Sequence, residues 1–170
     1  MKALLLALLA LLFISPSLDA GSTKRNIGKK MPALPAQYVA NAPRSTQGKP
    51  KLVEFWATWC GPCKRSVPHL NKIHKTFSPK GLVVVGLSKE TPQEIKDFTK
   101  KYGVKYPMSI DSNGKLQKRF GVNSIPHALL VNSAGKIVWE GSPSKLTNEV
   151  ISQKLQLSAV APQRSLPKSL

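Results

Sequence analysis

The stretch Leu52-Val53-Glu54-Phe55-Trp56-Ala57 is an apolar run with one acid set in it. Three residues after it ends comes a cysteine pair, Cys60 and Cys63, that opens a helical pattern. The run predicts a buried strand. Over residues 62–77, Val67, Leu70, Ile73, His74 and Phe77 recur at helical spacing, with Pro68 expected to kink the helix. A buried strand that feeds straight into an amphipathic helix packs that helix back onto its own sheet, which restricts the chain to α/β architectures.

The remainder fits that restriction. Residues 81–88 form a second strand, and the unbroken β-branched run inside it points to a parallel position covered on both faces. Thr91-Pro92-Gln93-Glu94 places a cap, a proline at N1 and a glutamate at N3, so a helix is expected to Tyr102, stopped by Gly103. Residues 105–110 are a short extended piece. Asn113 is expected to cap a short helix through Phe120, with Gly121 ending it. Residues 127–131 and 136–141 read as two strands of a hairpin about the turn Asn132-Ser133-Ala134-Gly135. A last helix is expected over 144–157, with Leu146, Val150, Ile151 and Leu155 on one face. The expected fold is α/β, with a parallel βαβ part, a C-terminal antiparallel hairpin, and helices on both faces.

The ends differ in composition. Lys2 precedes an apolar run from Ala3 to Ile14, which is long enough for a signal-peptide core and short for a bilayer span. Residues 1–20 are therefore expected to be a signal peptide cut after Ala20, with an uncleaved anchor as the lesser alternative. Residues 21–50 are a Pro/Gly/Lys-rich lead-in, flexible at first, in which 31–39 can pair only at a sheet edge because of Pro32 and Pro35. Residues 51–157 form the domain, and 158–170 a disordered tail. Export would place the chain where disulfides persist, and the periplasm is the expected compartment.

Charge narrows the partners. There are 26 Lys and Arg against 8 Asp and Glu, a net charge of +18. Such a surface is drawn to anionic lipid or acidic proteins. The cations are scattered along the chain rather than gathered in a stripe beside aromatics, so no nucleic-acid partner is expected.

Cys60 and Cys63 are the chain's two cysteines. At a helix N-terminus, free N–H groups and the macrodipole favour a thiolate, the species that attacks a disulfide. Cys60, just before the helix, is expected to be exposed and to attack; Cys63, one turn in, is expected to be buried and to resolve. Gly61 and Pro62 shape the turn between them. An inert structural disulfide is disfavoured, because so small a loop restricts the unfolded chain little. Half of a zinc site is disfavoured too, since His69, His74 and His127 offer no matching pair. No metal and no cofactor is expected.

The stretch Val53-Glu54-Phe55-Trp56-Ala57-Thr58-Trp59-Cys60-Gly61-Pro62-Cys63-Lys64 resembles the active-site segment of the thioredoxin superfamily, and Ser124-Ile125-Pro126-His127 resembles its cis-proline loop. The apolar leader, the lead-in and the longer middle are similar to the exported branch, which includes the TlpA-like and ResA-like proteins and the cytochrome c maturation thioredoxins. The resemblance implies a thioredoxin fold, a redox-active Cys60–Cys63 disulfide, and a cis Ile125–Pro126 bond whose edge offers backbone groups to a substrate. It also implies a buried acid, Glu54, that takes the proton of Cys63; the alternative is a strand glutamate facing water. Trp59 would flank the disulfide and guide docking. Trp56 is equally a docking or a core residue, and His127 is a groove residue or an ordinary strand residue. Two departures stand out: Ser66 where exported relatives often carry a glutamate, and Gly86 near the position of the lysine that accompanies the buried acid. Ala57, where a peroxidase would carry threonine, argues against peroxide chemistry.

The implied activity is reduction of protein disulfides, with a membrane-bound thiol–disulfide electron donor restoring the dithiol and the protein acting as a monomer. The alternatives are a disulfide oxidase or isomerase, or a chaperone-like binding module.

Overall fold

The computed structural model describes residues 25–156. The expected signal peptide and the tail at 158–170 lie outside the described residues. Six strands form one sheet in the order β1-β4-β3-β2-β5-β6. At its centre β2 (Lys51–Phe55) pairs in parallel with β3 (Val83–Ser88) and antiparallel with β5 (His127–Val131). β4 (Met108–Ile110) continues the parallel part, and β6 (Ile137–Gly141) completes the hairpin with β5.

Strand alternation sorts the core into two layers. Leu52, Val84, Ala128 and Leu130 face one cluster, which also takes residues from α1 (Gly61–Phe77), α2 (Pro92–Tyr102) and α4 (Asn148–Leu155). Val53, Phe55, Val85, Leu87 and Leu129 face the other cluster, together with Leu116 of α3 (Lys115–Arg119), Phe120 and Leu34. Helices therefore lie on both faces, as the strand-helix alternation predicts. Three cover the cysteine side, and one covers the other side with help from the lead-in.

The lead-in is part of the domain, contrary to the boundary expected at residue 51. Gly28 and Ile137, Ile137 and Lys29, and Met31 and Gly135 exchange backbone hydrogen bonds of 2.8–3.0 Å along the β6 edge. The chain then crosses the second face, buries Leu34, and pairs β1 (Tyr38–Ala40) antiparallel with β4 at the opposite edge. Both open edges of the sheet are thus covered by residues whose composition reads as loop.

Two helix starts also differ. The short helix α3 is not capped by Asn113, which has φ 57°. Instead the Asp111 carboxylate accepts hydrogen bonds from Leu116 N and Gln117 N, both at 2.9 Å. The last helix starts at Asn148 under a Thr147 cap, and Ser144 lies in a preceding 3-10 turn. Leu146 supplies the apolar contact in either case, so the pattern was sound and the element shorter. The α2 cap is as expected, with Thr91 Oγ1 accepting from Glu94 N and the Glu94 carboxylate accepting from Thr91 N.

Candidate active site

Cys60 and Cys63 are joined, with S–S 2.06 Å and Cα–Cα 5.2 Å. The strand β2 ends at Phe55, and Trp56 to Trp59 carry the chain into α1. Cys60 is the N-cap of that helix, with extended φ −78° and ψ 105°. Its Sγ accepts a hydrogen bond from Cys63 N at 3.1 Å. The two sulfurs are therefore unequal: one caps the helix and receives a free N–H, while the other sits within the first turn. Cys60 is not exposed in this disulfide state; it is 4% accessible and Cys63 is 2%. The surface feature beside them is Trp59, 73% exposed.

Glu54 lies on the cysteine side of the sheet. It opposes Gly86 on β3 and Ala128 on β5, and it shares its face with Leu52 and Trp56. It is 2% exposed, so the solvent-facing alternative does not hold. Tyr106 OH donates to Glu54 Oε2 at 3.3 Å, and Glu54 Oε1 is buried with no partner. Desolvation pushes the Glu54 carboxyl up to about 8, against a smaller lowering by the Tyr106 hydrogen bond. The Tyr106 hydroxyl is raised well above its usual value, by burial first and then by the neighbouring Glu54. Trp56 is a core residue: it is 4% exposed and its ring lies 4.4 Å from that of Phe98.

The Ile125–Pro126 bond is cis. Because β2 and β5 are antiparallel neighbours with Phe55 opposite His127, the Pro126 loop and the cysteine loop leave the same end of the sheet. Ile125 packs against both core clusters. Beyond the loop opens a cavity of about 600 Å³ lined by Ser124, His127, Glu140, Arg25 and Lys145 among others. At its wall Glu140 accepts from Asn26 N (3.2 Å) and Asn26 Nδ2 (2.8 Å), and His127 Nε2 lies 4.0 Å from Glu140 Oε2. His127 thus lines the cavity as well as starting a strand. Burial lowers its imidazole, partly offset by the Glu140 charge.

Residues 27–140 match the AhpC/TSA family. The chain belongs to that family, within the thioredoxin superfamily. Among curated relatives, the thiol-disulfide oxidoreductase ResA of Bacillus thuringiensis subsp. konkukian is 35% identical over 95 residues, 55% of this chain and 55% of that protein. ResA of Bacillus thuringiensis strain Al Hakam is 31% identical over 123 residues, 70% of this chain and 71% of the relative. The chain thus spans about half to seven-tenths of the length of these relatives. A solved thiol:disulfide interchange protein of the thioredoxin family from Chlorobium tepidum superposes with a TM-score of 0.63 at 23% identity. That match covers 75% of this chain and 97% of the other, and it shows the fold.

The departures from the expected pattern have a physical account in this family member. A side chain at Gly86 would begin 2.7 Å from Met108 Sδ and 2.9 Å from Trp56 Nε1, so Trp56 and Met108 occupy the space where a lysine would run. Tyr106 is the hydrogen-bonding neighbour of Glu54 instead. Ser66 is buried and donates to Pro62 O at 3.1 Å, which ties the first turn of α1 to the turn between the cysteines.

Two residues around the site were not legible in the sequence. Tyr106 sits in a short extended piece with no periodicity that aims it at β2. Glu90 accepts from Thr58 N (2.8 Å), Thr58 Oγ1 (2.6 Å) and Ser88 Oγ (2.9 Å), and so ties the loop before Cys60 to the end of β3. Its sequence position, next to the Thr91 cap, reads only as a helix start.

Proposed function

We propose that this chain is an exported thiol–disulfide oxidoreductase that reduces disulfides in protein substrates. The observation that carries the proposal is the Cys60 sulfur at the helix N-cap with Cys63 N–H directed at it at 3.1 Å. That donor and the helix dipole favour negative charge on Cys60 in the reduced state. The relatives' name, thiol-disulfide oxidoreductase, supports the same chemistry.

In the reduced protein the Cys60 thiolate attacks one sulfur of a substrate disulfide. A Cys60–substrate disulfide forms, and the other substrate sulfur leaves as a thiolate. Cys63 then loses its proton and attacks Cys60 Sγ, closing the Cys60–Cys63 bond and releasing the second substrate thiolate. Two electrons pass to the substrate, whose two sulfurs take up two protons. Glu54, buried on the same face and raised to about 8, is the acceptor for the Cys63 proton in its ionised form, its affinity for a proton brought close to that of a thiolate. The exposed Trp59 and the Ile125-Pro126 edge hold the substrate strand, with Gly61 and Pro62 keeping the turn beneath it open. The dithiol is restored by a membrane-bound thiol–disulfide donor. The chain works as a monomer in the periplasm, where the apolar leader would send it; among the described residues no helix is long and apolar enough to cross a membrane.

The test is trapping. Cys63→Ser, offered a disulfide-bearing protein such as insulin, should stall as a mixed disulfide on Cys60, visible by mass spectrometry and released by dithiothreitol. Cys60→Ser should trap nothing. Equal trapping by the two variants would remove the assigned order of attack. A reduction potential near −270 mV, as for thioredoxin, fits a reductant, and one near −120 mV would make the chain an oxidant instead.

A further inference from the structure

The opposite end of α1 carries a feature that the disulfide chemistry does not use. Of the chain's 26 Lys and Arg residues, four (Lys2, Lys24, Arg164 and Lys168) lie outside residues 25–156. Among the described residues, none of the other 22 lies within 4.0 Å of a carboxylate; the sole such pair is His127 with Glu140. Four of the carboxylates are engaged elsewhere. Glu54 and Asp111 are buried, Glu90 is held by Thr58 and Ser88, and Glu140 by Asn26.

Part of this unpaired charge is gathered in one concave place. Two adjoining cavities, of about 540 and 300 Å³, share His74, Ser78 and Lys105 in their walls. Together they are lined by the cations Arg44, Lys49, Lys72, Lys75 and Lys105, and by no Asp or Glu. His74 stands in both walls, and its Nδ1 is buried with no hydrogen-bond partner. The groove sits where α1 ends and β2 and β3 begin. His74, 14 residues along α1 from Cys60, puts it about 20 Å from that cysteine. The negative end of the α1 dipole accounts for a cation such as Lys75. It does not account for Arg44, Lys49 and Lys105, which reach the same groove from other segments.

We propose that this groove is a binding site for a phosphate group, carried either by an acidic phospholipid headgroup or by a soluble phosphate anion. Five cations line the two cavities, with Lys105 common to both and no competing carboxylate, so the walls supply positive charge for an anion that they do not themselves contain. Occupation would leave the Cys60 end of the molecule facing away from the bound anion. A lipid headgroup there would turn the disulfide toward the aqueous phase.

The test compares three full-length proteins: the wild type, Lys72→Gln/Lys75→Gln/Lys105→Gln in the groove, and Lys115→Gln/Lys118→Gln/Lys154→Gln elsewhere on the surface. The two triple variants have equal net charge. Binding is measured to phosphatidylcholine vesicles with and without phosphatidylglycerol, and to pyrophosphate, at fixed salt. The groove variant should lose roughly a hundredfold in affinity for whichever anion binds, because each lysine beside an anionic surface contributes about fivefold. The charge-matched variant should lose far less, and the His74 imidazole resonances should shift on binding in the wild type. Groove-dependent binding to vesicles alone identifies a lipid headgroup, and to pyrophosphate alone a soluble phosphate. Equal losses in the two triple variants, or no binding to either probe, would overturn the site. Insulin reduction should be unchanged in both variants, so the outcome is separate from that of the disulfide chemistry.

Discussion

Two carboxylates, Glu54 on β2 and Asp111 just after β4, are buried alike, each 2% exposed. Their surroundings differ. Asp111 accepts two backbone N–H groups at 2.9 Å, and each of its oxygens has a partner. Glu54 has one hydroxyl at 3.3 Å, and its second oxygen has none. A buried acid with both oxygens satisfied fixes the backbone around it, here the start of α3. One left half-satisfied is costly as an anion and so keeps its proton to higher pH. The first is scaffold. The second, on the cysteine side of the sheet, is the proposed acceptor of the Cys63 proton.

The largest expected effect tests this difference directly. Glu54 has a raised folded pKa, so below about 4.5 it is protonated in both the folded and unfolded states and costs nothing. As pH rises toward about 8 the unfolded chain ionises it and the folded one does not, and stability is lost. Glu54→Gln should therefore be more stable than the wild type at pH 9, by roughly 3–5 kcal/mol, and unchanged at pH 4. Urea denaturation of the oxidised protein at the two pH values checks this. The same variant should slow the resolving step, measured as persistence of the mixed disulfide.

Asp111→Ala should behave in the opposite way. Loss of a buried acceptor with two partners should cost about 2–3 kcal/mol in urea denaturation, at pH 5 and at pH 9 alike. Its rate of disulfide exchange should stay at the wild-type value in conditions where it is folded. Were Asp111→Ala to slow exchange as Glu54→Gln does, the division into scaffold and chemistry would fail.

Tyr106→Phe removes the one partner Glu54 has. The Glu54 titration should then move further up, because the hydrogen bond that lowers it is gone. Carboxyl NMR reads the shift directly, and the pH profile of exchange should follow it. A packing role alone would alter stability and leave the titration in place. Glu90→Ala should have the smallest effect. It frees Thr58 and loosens the loop before Cys60, so exchange should slow severalfold, with a stability loss of about 1 kcal/mol read by the same denaturation.

Much of the fold was written locally. The strand into Cys60, the α2 capping box, the Asn132–Gly135 hairpin and the parallel placement of β3 all follow from periodicity and turn chemistry over fewer than twenty residues. The misplaced features share one cause. Asn113 has the composition of a cap, but the acceptor that reaches the helix start is Asp111, just upstream. The lead-in pairs at a sheet edge as its 31–39 segment allows, but the domain boundary expected at residue 51 was misplaced, because the two sheet edges it meets are built by residues about 70 to 110 positions later.

The sequence by itself determined the two cysteine sulfurs, their spacing and their place at the start of a helix, because those depend on neighbours within one turn. Tertiary structure alone decided the state of Glu54. Alternation allowed it to face either layer or water. Its place in β2, opposite Gly86 of β3 and Ala128 of β5, put it on the cysteine side, the Trp56 ring filled the space over Gly86, and Tyr106 arrived from 52 residues away. A pKa depends on which atoms surround a group, and those atoms come together only when the sheet closes.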